Sequence, residues 1–261
     1  MLSYQHAYHA GNLADVHKHA LLAHMLAYLT AKPKPLSYLE THAGRGLYSL
    51  SGPEAQKTGE AAAGIELADR RGWFGVDHPY RTALDHVRAQ EGADAYPGSP
   101  VIAGLALRPE DRAVVAELHP QEFAALSAAL LPYPISARQT DGLAMARALT
   151  PPDPRRGLML IDPSYEVKAE YETVPKAVAD IHRKWNVGVI VLWYPILTDR
   201  RHLPMLALLE ALKAPKSLRH EVTFPPAKEG HGMCGSGLFI LNPPYGTEEE
   251  ARRLSRLYAT L

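Results

Sequence analysis

The chain is predicted to be a doubly wound α/β protein, because short apolar runs alternate with amphipathic helical stretches along it. Two of those runs, GLMLI at Gly157–Ile161 and VGVIVLW from Val187, are apolar without alternation. That pattern marks strands covered on both faces, as in a mostly parallel sheet with helices on either side. A third observation is positional: polar clusters follow successive strands, where ligands sit in open α/β sheets.

In chain order the candidate strands are Leu36–Glu40, Arg112–Leu118, Ile135–Gln139, Gly157–Ile161, Val187–Trp193, Arg219–Phe224 and Gly237–Leu241, a seven-stranded sheet. The first helix is placed at Asp15–Thr30, with Asp15 as N-cap and Leu21, Leu22, Met25, Leu26 and Leu29 at helical spacing. Further helical patterns lie at Ser99–Leu107, Pro120–Leu130, Gly142–Leu149, Glu170–Lys184, Arg201–Lys213 and Glu248–Tyr258. Residues 47–96 interrupt the alternation and read as an inserted helical subdomain, with helices near Pro53–Arg70 and Pro79–Gln90, within a single domain spanning 1–261.

Composition narrows the functional classes. With 28 basic and 28 acidic side chains the formal net charge is zero, so any nucleic-acid surface must be a local patch. The lone cysteine, Cys234, excludes an internal disulfide and a cysteine-based zinc site, and no catalytic partner is readable beside it. No apolar run has the length of a membrane span, and the N-terminus lacks a signal core; a cytoplasmic, monomeric enzyme without membrane contact is expected.

The strand ends carry the chemistry. Glu40-Thr41-His42-Ala43-Gly44-Arg45-Gly46 follows the first strand, and glycines there let backbone approach a ligand. A dinucleotide fingerprint would need a third glycine where Ser49 stands. Glu117, ending the second strand, is placed to accept hydrogen bonds from ribose hydroxyls. Asp141-Gly142 after the third either binds an adenine amine or caps the next helix. Asp162-Pro163-Ser164-Tyr165 after the fourth joins an acceptor-only carboxylate, a proline that frees nearby carbonyls, and an aromatic face. Together these suit a flat base bearing an exocyclic amine, although Asp, Pro and Ser also form ordinary turns.

The N-terminal MLSYQHAYHAGNLADVHKH, the loop THAGRGLY, Tyr96-Pro97-Gly98-Ser99-Pro100, Glu117-Leu118-His119-Pro120, LIDPSYE and Trp193-Tyr194-Pro195 occur in an order that resembles the RlmJ-type methyltransferases. The resemblance covers nearly the whole chain. It implies a Rossmann-like class I fold and S-adenosylmethionine (SAM) as cofactor. It also implies methylation of the N6 amine of an adenine in large-subunit (23S) ribosomal RNA. By resemblance the cofactor contacts fall on His19, His42, Ser99, Glu117, Asp141, Gly142 and Asp162, with Gly44 in the glycine loop and Lys18 touching SAM or phosphate. Asp162 is the implied catalytic residue, with Pro163 and Tyr165 beside it, and Tyr4 the implied RNA contact. Two departures are visible. Ser164 replaces the family's usual second proline, and Glu40 stands where an aspartate is common.

Competing readings follow from the same residues. The fold suits an amino methyltransferase acting on DNA or protein, or a noncatalytic RNA-binding relative with Ser164 marking decay. No metal is expected, because His17 and His19 are two apart on a helix and face different directions; a surface or cofactor-pocket role is expected for that trio. His42 is otherwise a buried, hydrogen-bonded histidine, and Trp193-Tyr194-Pro195 either closes a strand or meets the base. Asn242-Pro243-Pro244-Tyr245 mimics an amino-methyltransferase motif but follows the last strand, which favours a structural turn. The clusters Arg155-Arg156, Arg183-Lys184 and Arg200-Arg201-His202 are either phosphate contacts or solvated surface.

Overall fold

A computed structural model describes residues 5–226 and 232–261. Strands β1 (Ser37–Glu40), β4 (Arg112–Ala116), β5 (Ile135–Arg138), β6 (Gly157–Ile161), β7 (Val189–Leu197), β8 (Ser217–Thr223) and β9 (Met233–Leu241) form the main sheet. Their spatial order is β5-β4-β1-β6-β7-β9-β8. Pairings from β5 to β7 are parallel, whereas β9 runs antiparallel to both its neighbours. This is the doubly wound α/β arrangement that the alternating pattern predicts, with one strand reversed.

Strand alternation explains why the sheet is covered twice. Along β6, Leu158 and Leu160 enter one apolar cluster, while Met159 and Ile161 enter the other. Val189 and Val191 of β7 divide from Ile190 and Leu192 in the same way. Helices α1 (Leu13–Thr30), α5 (Pro79–Glu91), α6 (Ser99–Ala106), α7 (Pro120–Ala129) and α11 (Thr247–Tyr258) contribute to the first cluster. Helices α8 (Gly142–Leu149), α9 (Glu170–Lys184) and α10 (His202–Glu210) cover the other face.

Three expectations are corrected. The N-cap of α1 is Asn12, whose Oδ1 accepts the Asp15 N–H at 2.9 Å, so Asp15 already lies inside the helix. The 47–96 insertion is not purely helical: β2 (Leu47–Ser49) and β3 (Ala95–Pro97) close its base as an antiparallel pair. Strands of three residues carry no readable alternation, which is why the pair was invisible. The first inserted helix is also broken into α2 (Pro53–Thr58), α3 (Glu60–Ala63) and α4 (Ile65–Arg70). Gly59 adopts φ +68°, and a Cβ on Gly64 would overlap the Gly11 carbonyl, so the chain turns at both. Ile65, Trp73, Tyr80 and Leu84 of the insertion join the same cluster as α1, which fastens it to the main body.

Strands β7 and β9 run longer than their sequence patterns indicate. Pro195 argues against a strand, yet it pairs with Ser236. It is tolerated because β6 ends opposite Leu192, leaving one side of β7 unpaired beyond that point.

Candidate active site

A cleft of about 560 Å³ opens where β1, β4, β6 and β7 end. Its wall gathers every cofactor candidate named from sequence: Lys18, His19, His42, Gly44, Ser99, Glu117, Asp141, Gly142 and Asp162. Pro163, Ser164 and Tyr165 line it as well. Tyr4 lies outside the described residues.

Helix α1 supplies the charged floor. Asp15, Lys18 and His19 stand at i, i+3 and i+4, hence on one helical face. Lys18 Nζ lies 2.6 Å from Asp162 Oδ2 and 3.1 Å from Asp15 Oδ1, nearly buried. Burial alone would depress the Lys18 ammonium, but Asp162 and Asp15 overcome it and raise its pKa above the usual lysine value. Burial would likewise lift Asp15, yet His6, Lys18 and His19 hold it well below the ordinary carboxylate range. His19 goes the other way: burial lowers it to about 3, despite Asp15 nearby, so the ring is neutral. Its Nδ1 pairs with the Tyr96 hydroxyl at 2.9 Å. Asp15, which the sequence pattern marks as a cap, instead lines the cleft, and its i, i+3, i+4 spacing to Lys18 and His19 is the legible signal for that.

The glycine loop is held by two acids. Glu117 Oε2 accepts the Gly44 N–H at 2.9 Å and Oε1 the His119 N–H at 2.8 Å, leaving further lone pairs toward the cleft. Arg45 forks onto Glu122 at 3.0 and 2.7 Å, tying the loop to α7. Gly44 has φ +61°, and a Cβ there would meet the Tyr48 hydroxyl, so the position demands glycine. Glu40 does not face the cleft. It is fully buried, accepting from Tyr38 at 2.8 Å and from Ser99, the cleft residue it anchors. Burial pushes Glu40 up to about 8, against those two hydrogen bonds.

His42 shows both properties considered for it: it lines the cleft, and Nδ1 pairs with Thr41 Oγ1 at 2.7 Å. Burial lowers its pKa, with Asp162 and Asp141 opposing. Asp141 caps α8, accepting the Ala144 N–H at 2.7 Å, and still lines the cleft. Gly142 is explained by packing, since a Cβ would overlap the Thr41 carbonyl oxygen.

Tyr165 departs from the open stacking platform the motif suggested. Its side chain is only 6% exposed, its ring packs against Tyr171 at 4.6 Å, and its hydroxyl donates to the Trp193 carbonyl at 3.0 Å. Its φ of +56° is unusual for an aromatic residue, and a cost of about 1–3 kcal/mol attends such backbone. The buried ring and hydroxyl hold that conformation. Trp193, by contrast, is half-buried and lines the cleft, with the Lys18 ammonium 5.6 Å from its ring.

The remaining candidates fall away from the cleft. His17 is core, neither surface nor cofactor wall. Asn242 Nδ2 donates to the Asn186 and Gly188 carbonyls, both at 2.9 Å, in a structural turn. Arg156 and Lys184 bond backbone carbonyls, while Arg183 pairs with Asp180 and Arg201 with Asp199. Among the described residues no group of three or more His, Cys, Asp or Glu side chains could hold a metal, and no helix is long and apolar enough to cross a membrane.

A seven-stranded sheet with one reversed strand, carrying a cleft at the parallel strand ends, defines a class I SAM-dependent methyltransferase, and SAM is the cofactor of that class. The donor set fits it: an anchored carboxylate beside a glycine loop, and a cleft of the size that small-molecule sites occupy. The family model described as "Ribosomal RNA large subunit methyltransferase D, RlmJ" matches residues 33–260, and the chain belongs to this family. Ribosomal RNA large subunit methyltransferase J of Escherichia coli (strain K12) is 37% identical, over 96% of this chain and 90% of that one. The protein of the same description from Haemophilus influenzae is 36% identical, over 97% and 92%. Among solved structures, the Legionella pneumophila protein LPL1258 superposes with a TM-score of 0.87 at 37% identity, covering 97% of this chain and 93% of that one.

Proposed function

We propose that the chain transfers a methyl group from SAM to the N6 amine of an adenine in large-subunit (23S) ribosomal RNA. The observation that carries this reading is the single cleft shared by Glu117, Asp141 and Asp162. The relatives' names, which specify large-subunit ribosomal RNA, support the substrate class.

Bound SAM supplies a methyl already activated by its sulfonium, so the protein's work is largely positioning. Glu117, fixed by the Gly44 and His119 amides, accepts from the ribose hydroxyls. Asp141 and His42 face the adenosyl group. Lys18 takes Asp162 Oδ2, and Oδ1 has no partner among the described residues. Asp162 Oδ1 and the Pro163 carbonyl accept the two hydrogens of the target amine, drawing its lone pair out of the ring. The target adenine leaves its stack to enter the cleft, as base-modifying enzymes require. Trp193 offers the more open ring, while Tyr165 holds the loop that presents Asp162.

The test is methyl transfer from labelled SAM to purified ribosomal RNA, DNA and protein extract side by side, followed by mass mapping of modified adenines. Label confined to N6 of a 23S adenine supports the reading. Label on DNA or protein, or SAM binding without transfer, overturns it.

A further inference from the structure

Trp193 reaches the cleft from β7, and its indole nitrogen lies 2.9 Å from Ser236 Oγ on β9. Ser236 is fully buried. From it a line of side chains crosses the sheet face: His17 Nδ1 is 2.9 Å from Ser236 Oγ, and His17 Nε2 is 2.9 Å from His220 Nδ1. His220 Nε2 ends the line 2.8 Å from Ser255 Oγ on α11. None of these residues except Trp193 lines the cleft.

The chemistry of the ends fixes the direction of the line. An indole N–H only donates, so Ser236 Oγ accepts from Trp193. The Ser236 hydroxyl proton then needs an acceptor, and the one within reach among the described residues is His17 Nδ1. That places the His17 proton on Nε2, where it donates to His220 Nδ1. His220 must in turn carry its proton on Nε2, donating toward Ser255 and the Ala251 carbonyl one turn earlier on α11. The opposite direction would leave the buried Ser236 proton without a partner, which costs about 1–3 kcal/mol. Burial lowers both histidines, so each carries one ring proton, as a one-way chain demands.

We propose that Trp193–Ser236–His17–His220–Ser255 is a one-way hydrogen-bond relay that fixes the indole in the cleft wall, making Ser236 and His17 positioning residues. Fixing the indole matters because its ring sits beside the Lys18 ammonium, the partner of Asp162. Its backbone carbonyl also receives the Tyr165 hydroxyl. The indole thus flanks the Lys18–Asp162 pair, while the strand backbone that carries it holds Tyr165. The relay's geometry stands apart from the catalytic reading; only its effect on RNA kinetics rests on that reading.

The first measurement needs no variant: nitrogen-15 NMR of histidines in the wild-type chain, with and without SAM. His17 and His220 are expected neutral with the proton on Nε2; a proton on His17 Nδ1 overturns the relay. The second compares wild type with Ser236→Ala and Ser236→Thr. In Ser236→Ala, exchange of the Trp193 indole proton should quicken by about tenfold, the scale of one lost hydrogen bond. The Trp185 indole, bonded to the Arg155 carbonyl, serves as the unchanged reference. KM for ribosomal RNA should rise about three- to tenfold with kcat little changed, and Ser236→Thr should restore both. Wild-type exchange at Trp193 in a folded Ser236→Ala chain overturns the proposal. Should Ser236→Ala not fold, the tautomers decide; should RNA not be methylated, tautomers and exchange still do.

Discussion

Two look-alike tetrapeptides, sharing Pro and Tyr at their second and fourth positions, follow two strands of the same sheet and meet opposite fates. Asp162-Pro163-Ser164-Tyr165 follows β6, and Asn242-Pro243-Pro244-Tyr245 follows β9. Strand β9 runs antiparallel to β7, so its exit lies at the edge where the parallel strands begin. At one edge the acid meets Lys18 and a cleft; at the other the amide of Asn242 ties down the Asn186 and Gly188 carbonyls. The tyrosines differ as sharply, Tyr165 being 6% exposed and Tyr245 84%. A motif of this kind is therefore half of a site, and strand direction supplies the other half.

The largest test of that contrast is Asp162→Asn. Turnover should fall by about 10²–10⁴-fold, the range for a positioned proton acceptor, while the circular dichroism stays wild-type because Asp15 still pairs with Lys18. Turnover within threefold of wild type would erase the distinction between the two edges.

A second test asks whether the buried acid at the site edge is neutral. Glu40 is raised by burial to about 8 from an ordinary 4.5, so the folded chain keeps a proton that the unfolded chain releases. Its contribution is complete below pH 4.5 and lost as pH rises toward 8. Relative to wild type, Glu40→Gln should therefore gain about 4–5 kcal/mol between acid and mildly alkaline pH, at about 1.4 kcal/mol per pH unit between the two values. Urea denaturation at several pH values reads the difference; parallel curves would mean that Glu40 is already ionised.

At the opposite edge, Asn242→Ala should cost about 1–3 kcal/mol through two carbonyls left without their donor. Methyl transfer at saturating substrate should stay within about twofold, because no part of the cleft is touched. A large loss of kcat at full folding would place this turn in the reaction after all. Smallest of all, Ser164→Pro should shift turnover by no more than about threefold and stiffen the loop, since proline chiefly restricts the backbone. The Ser164 N–H makes no backbone hydrogen bond among the described residues, and the one side-chain contact given up is the long 3.4 Å bond that Ser164 Oγ accepts from the Glu166 N–H. Complete inactivation would show that the loop needs its freedom.

Much of the site was legible because its residues follow strands, and strands announce themselves by unbroken apolar runs such as GLMLI. The order of polar clusters places Glu117, Asp141 and Asp162 at the ends of successive strands, and one cleft gathers the three. Asp15 resembles a cap because it is a carboxylate near a helix start, but Asn12 three residues earlier takes that role. The paired strands β2 and β3 leave no mark in the sequence, because three residues cannot display a period. The sequence suggests a surface or cofactor-pocket role for His17, yet it lies in the core, held by Ser236 and His220, more than two hundred positions away in sequence.

By itself the sequence determined the strand and helix types, the family likeness and which polar residues stand at strand ends, because period and local turn chemistry are short-range properties. Tertiary structure decided which of two look-alike motifs meets the cleft, that Tyr165 is buried while Trp193 is more open, and that Lys18 joins Asp15 to Asp162. Those outcomes depend on strand direction and on contacts between distant segments, and no local pattern of side chains encodes either.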